Sequence, residues 1–179
     1  MFETINFKII LLSALLFFLG YGLAPTAYYK NIRPLIAYPM WMVKKLDQLS
    51  KKSWKPLVLF GFLFSMNSLS LFIDLASAVI PLLPFIFVVW TGMNIGVVTY
   101  HTLDGNFYYT ALINPVAIFE LPAAFLTFSM AIQYNLAALG LNELFGISWK
   151  TVGFERYLTI FVITVLPVLL MAGIIETYL

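Results

Sequence analysis

The sequence predicts an all-α membrane protein: a bundle of about five spanning helices, with a short broken or re-entrant segment and an interfacial amphipathic helix. Three observations predict it. Of the 179 residues, 62% are hydrophobic and only 10% are charged, whereas an ordinary soluble domain carries about 25% charged residues. Mean hydropathy is +0.95. The charges are separated by apolar runs long enough to cross a hydrocarbon core, which takes about 20 residues per helix. There is too little polar surface to coat a water-soluble globule. The same composition excludes a disordered chain, a nucleic-acid binder and a disulfide-built secreted domain.

Taken in chain order, residues 1–179 read as one membrane domain. The first span, about 9–29, follows Lys8 and ends at Pro25 and the Tyr28-Tyr29 pair, an interfacial aromatic signal. It is too long, and lacks the A-x-A pattern, for a cleaved signal peptide, so it reads as a retained anchor. Residues 30–56 form a basic loop. Seven of the ten Lys and Arg lie between Lys30 and Lys55, opposed only by Asp47. Within it, Met42, Val43, Leu46, Leu49 and Ser53 share one helical face. Lys44, Gln48, Lys51, Lys52 and Lys55 share another, with Trp41 and Trp54 nearby. That pattern reads as an amphipathic helix at the membrane surface, able to dock anionic lipid or a partner through Lys44, Lys45, Lys51, Lys52 and Lys55. The lysine bias places the loop in the cytoplasm of a cell membrane. Five spans then leave the N-terminus outside and the C-terminus inside.

The stretch from Leu57 to Leu103 carries one charge, Asp74. It divides into spans of about 57–77 and 82–102, because Pro81 and Pro84 suit a turn and a helix start rather than a helix interior. Asp74 and Asp104 are expected near span ends, His101 at an interface, and Asp104-Gly105-Asn106 in a turn. Residues 105–142 are too many for one straight span. Asn114-Pro115 joins a preferred N-cap to the residue favoured at the first helical position. A helix is therefore expected to start there, giving a segment of about 106–113 and a span of about 115–138. The last span, about 157–177, carries Pro167 as an expected kink.

Cysteine is absent and His101 is the single histidine, so no cofactor or metal centre is expected. Nor is there an H-E-x-x-H, G-x-S-x-G or Walker A motif. The polar residues inside the spans carry what chemistry remains. Glu120 lies between apolar runs shortly after the expected helix start. A charge at mid-bilayer costs roughly 3 kcal/mol on insertion scales, which protonation, a polar partner or the positive helix end can offset. Pro122 lacks an N–H, so the Ile118 carbonyl loses its helical donor. Glu120, Asn114, Pro115 and Pro122 therefore form a candidate cation or proton site, or else Glu120 is a structural group bonded to a neighbouring helix. Asn67 and Asn94 are candidate partners for it, or simple packing residues. Gly92 and Gly96 form a small-xxx-small pattern for close helix approach.

The run Asn114 to Ala123, NPVAIFELPA, resembles the signature of the stage II sporulation protein M (SpoIIM) family, Pro-His-Gly followed by two apolar residues and Glu-Leu-Pro-Ala. Pro115, Glu120, Leu121, Pro122 and Ala123 match it. Asn67, Asn94 and Gly96 echo asparagine-bearing helices that precede the signature. The family's His-Gly is Val116-Ala117 here. The resemblance implies an all-helical membrane fold. It also implies, from the sporulation member, a scaffold for peptidoglycan-degrading partners, whose first loop would face outside the cell. The lysine bias of this chain argues for the inside.

Two functions follow as expectations. The first is a non-enzymatic scaffold or subunit of a membrane complex, with membrane lipid and a partner protein or further copies of the chain as its contacts, and no nucleic acid. The alternative is a small oligomeric transporter or channel for a cation or proton, using Glu120.

Overall fold

The computed structural model describes residues 5–50, 55–106 and 108–178. Lys51 and Lys52, with Ser53 and Trp54, lie outside the described residues, as do the side chains of Leu46, Gln48 and Leu49. Among the described residues the structure is a bundle of six helices. They are α1 (Phe7–Tyr29), α2 (Arg33–Ser50), α3 (Pro56–Ala76), α4 (Leu83–Thr102), α5 (Pro115–Ala138) and α6 (Phe154–Tyr178). All but α2 are long and apolar enough to span a bilayer.

Local chemistry sets the helix ends. The Asn6 side chain accepts from the Lys8 N–H at 2.9 Å and donates to the Phe145 carbonyl at 2.7 Å, so α1 is capped and its start is tied to the loop after α5. Asn114 caps α5 by accepting from the Ala117 N–H at 2.8 Å, and Pro115 occupies the first helical position. Between α3 and α4 the chain makes one 3-10 turn, Ser77–Val79, and then places Leu82 at φ +63°. A leucine in that region is strained, and a third element holds it there. Asn135 of α5 accepts from the Leu82 N–H at 3.0 Å and donates to the carbonyls of Ala78 and Ile80 at 2.9 and 2.8 Å. One buried amide thus satisfies three backbone groups of the turn.

The most extensive helix pair is α1 with α4. In lipid there is no hydrophobic drive to bring helices together, so close backbone approach and dispersion must do it. Gly20 of α1 sits where an added Cβ would stand 2.0 Å from the Val89 carbonyl oxygen. Gly92 of α4 sits where one would stand 2.1 Å from the Phe17 carbonyl oxygen. At Gly96 a Cβ would meet Ala24 Cβ at 2.5 Å. The crossing is closed at its far end by Tyr21 and Tyr108, whose rings stack with centroids 4.4 Å apart. Each phenol also donates to the other residue's carbonyl. Burial among these rings pushes the Tyr108 phenol well above the ordinary tyrosine range.

Helix α5 is the most enclosed span, with Phe128, Met130 and Ile132 fully buried between α1, α3 and α6. Helix α3 is the least enclosed: only Leu71, Asp74 and Leu75 are buried by protein. It packs on α5 and α6 and touches α4 sparingly. Asp74 stands near a span end as expected, in the last turn of α3, but protein buries it there to 5% exposure. Asp104 and Gly105 do form a turn, both with positive φ.

Two other elements differ from the sequence reading. Helix α2 buries Pro39 and Val43, and its Leu35, Ile36 and Met40 pack against Met93 and Val97 of α4 and Ala24 and Ala27 of α1. Among the described side chains its buried stripe serves protein packing, and Val43 is the one member of it from the expected face. In α6 the expected kink at Pro167 takes the form of a wide turn. Residues Phe161–Val165 are π-helical, and the Leu166 N–H reaches back to the Phe161 carbonyl. The turn immediately precedes the proline, whose missing N–H already interrupts the regular bonding pattern.

Candidate functional site

Glu120 lies in the second turn of α5, about 7.5 Å along the axis from Pro115 at the usual helical rise. It is half-buried. Asn67 of α3 donates to its Oε1 at 2.5 Å. Asn67 stands about 16 Å along α3 from Pro56 by the same rise. The two helices run the same way, so α5 begins further along the bundle than α3 does. The capped start at Asn114-Pro115 places Glu120 opposite the middle of α3.

These residues border a cavity of about 690 Å³ enclosed by α3, α4, α5, α6 and the 3-10 turn Thr110–Ile113. Its polar lining includes Asn67, Ser70, Thr91, Asn114, Glu120 and Glu176. Glu176 belongs to the last turn of α6 and stands exposed at the rim. Two carboxylates from different helices therefore open on one space, with an amide donor bonded to the inner one. The carboxylate needs compensation for leaving water. Asn67 supplies one neutral hydrogen bond, worth about 1 kcal/mol in lipid, which covers part of that cost. A proton or cation in the cavity is the chemistry that would cover the rest.

Of the residues expected from the sequence, Glu120, Asn67, Asn114 and Pro115 meet at this cavity. Pro122, two residues beyond Glu120 along α5, is exposed. Asn94 is not a partner of Glu120: its Oδ1 is buried without a hydrogen bond and lines a different space. Gly92 and Gly96 belong to the α1–α4 crossing. Lys44, Lys45 and Lys55 are exposed. His101, near the end of α4, is bonded through Nδ1 to the Tyr28 hydroxyl at 2.8 Å. Sequence reasoning missed two contributors. Glu176 falls inside the expected last span, about 157–177, and as an intramembrane carboxylate it carried the same signal as Glu120. Gly20 was not paired with Gly92, although Gly20 and Ala24 repeat the small-xxx-small spacing on α1.

A capped helix start set among spanning helices, with a carboxylate one turn inside it, defines a polytopic helical membrane protein with a carboxylate-bearing cavity between its spans. The model of the family described as stage II sporulation protein M, SpoIIM, matches residues 9–179. The chain belongs to that family. No match was found among curated proteins or among solved structures.

Proposed function

We propose that this protein is a non-enzymatic carrier or channel component that moves a proton or a cation, with Glu120 as the group that binds it. The observation that supports this reading is the placement of Glu120 and Glu176 on one cavity within the spans, with Asn67 holding the Glu120 Oε1. A carboxylate can exchange a proton or hold a cation, and the open space beside it admits water or an ion. Five spans enclose little volume, so the working unit is a homo-oligomer.

The test is flux of protons and metal ions into proteoliposomes, comparing wild type with Glu120→Gln after equal folding and reconstitution are confirmed. Glutamine accepts the Asn67 bond but cannot titrate. Wild-type flux abolished in Glu120→Gln is the expected result. Wild-type flux that Glu120→Gln leaves intact removes Glu120 from the path.

A second reading is favoured by the family and by the exposed Lys44 and Lys45 of α2. In it the protein is a scaffold in a cell-membrane complex, docking anionic lipid or a partner through α2. Absence of flux across all cations, with a partner retained by wild type and lost on Lys44→Gln with Lys45→Gln, would favour it.

A further inference from the structure

A second cavity, of about 540 Å³, lies between α2, α3 and α4. It shares the wall of Asn67, Ser70, Thr91, Ile95, Val98 and Thr99 with the Glu120 cavity but holds a different carboxylate. Most of its lining is apolar and aromatic, with Phe87, Trp90 and Met66 among the walls and Tyr38 contributed by α2. Among the described residues its one carboxylate is Asp74, 5% exposed, whose Oδ2 has no hydrogen-bond partner there. Asn94, on the same cavity, has an equally unpartnered Oδ1.

Both orphaned atoms are acceptors. A buried acceptor without a donor costs free energy, and a buried carboxylate without a counter-charge costs more. Their common complement is a cationic group carrying N–H donors. Aromatic residues on the same cavity suit such a group, since ring quadrupoles attract cations. The spacing adds a length. Asp74 stands two residues before the end of α3, and Asn94 stands eleven residues beyond the start of α4. The helices form a hairpin, so the two side chains lie about 13 Å apart along the axis at the usual rise. An ammonium at Asp74 therefore needs an extended body to bring a second donor to Asn94.

We infer that the cavity between α2, α3 and α4 binds an extended aliphatic diamine, with one ammonium on Asp74 and the other end on Asn94. The alkyl chain lies along Phe87, Trp90 and Met66. The aliphatic body suits the apolar walls, and the two ends answer the two orphaned acceptors. The site does not depend on Glu120 acting as a carrier group.

The test is equilibrium dialysis of radiolabelled 1,5-diaminopentane against the protein in phosphatidylglycerol nanodiscs. Wild type should show saturable binding that 1-aminopentane displaces at least tenfold more weakly than unlabelled diamine does, and that 1-pentanol does not displace. Asp74→Asn should weaken binding at least tenfold. Asp74 Oδ2 makes no hydrogen bond, so this near-isosteric change leaves the fold intact, and melting of the variant checks that. Asn94→Leu should bring the diamine down to the monoamine's affinity. Glu120→Gln should leave binding unchanged, which separates this site from the flux reading. Absence of saturable binding, equal binding in Asp74→Asn, or equal displacement by 1-pentanol would overturn the assignment. Displacement by added phosphatidylethanolamine would also overturn it, because the site would then be one for a lipid headgroup.

Discussion

The α1–α4 crossing gives the sharpest stability prediction. An added Cβ at Gly92 would stand 2.1 Å from the Phe17 carbonyl oxygen, and one at Gly20 would stand 2.0 Å from the Val89 carbonyl oxygen, where ordinary contact begins at 3.4 Å. Each obstacle is backbone and cannot rotate away. The helices must therefore part by more than 1 Å, and a gap of that size forfeits about half of the dispersion of the atoms that separate. Overpacking of this kind costs about 1–3 kcal/mol. Gly92→Ala should lose about 2 kcal/mol or more, roughly a thirtyfold shift in the unfolding equilibrium. Gly22→Ala is the matched control, because a Cβ there meets nothing within 4 Å. It should stay within about 0.5 kcal/mol of wild type. The assay is reversible unfolding in mixed micelles against the mole fraction of dodecyl sulfate. Combining Gly20→Ala with Gly92→Ala should cost less than the two separately, since the first already parts the helices. Equal midpoints for Gly92→Ala and Gly22→Ala would refute the argument, because the close approach would then contribute nothing to stability.

Other substitutions have equally definite outcomes. Asn135→Leu removes the partner of three backbone groups in the α3–α4 turn and should lower stability by about 2–3 kcal/mol in the same assay. Glu120→Leu strands the Asn67 donor and should cost about 1–2 kcal/mol, whereas Glu120→Gln keeps an acceptor and should cost less than half of that. Changing Lys44 and Lys45 together to Gln should reduce retention of anionic lipid on the purified protein, read by native mass spectrometry. Each lysine near a charged surface is worth about 1 kcal/mol.

The parts of this molecule that rest on local chemistry were legible in the sequence. Asn114 and Pro115 specify their own helix start, and the boundaries of α5 follow from them. Charge-free runs locate the spans because hydrocarbon excludes charge without regard to neighbours. The family signature around Glu120 was likewise a matter of consecutive residues. What depends on a second helix was not legible. Lysines define a polar face for α2 whether its other face meets lipid or protein, so the packing of Leu35, Ile36 and Met40 against α1 and α4 could not be anticipated. Asp74 looked like a boundary because a charge ends an apolar run, yet α3 carries it into protein. Glu176 joins Glu120 only through the packing of α6 beside α5. Asn135 lay inside an apolar run, and its three bonds became visible only with the turn that it holds. Pro167 signalled an irregularity, but the sequence does not distinguish a bend from an extra residue in the turn.

The Asn135 clamp has a mechanical consequence. Among the described residues, the α3–α4 hairpin is fastened to α5 by three side-chain hydrogen bonds at its closed end, and the side-chain bond from Asn67 to Glu120 fastens α3 to α5 further down. At about 1 kcal/mol each, the hydrogen bonds lost in spreading the helices at the turn are worth about three times the one lost near Glu120. The hairpin is a pair of tongs with its rivet at Asn135. A widening of the bundle that kept those three bonds would swing α3 about that rivet and open both cavities, since Asn67 borders each of them.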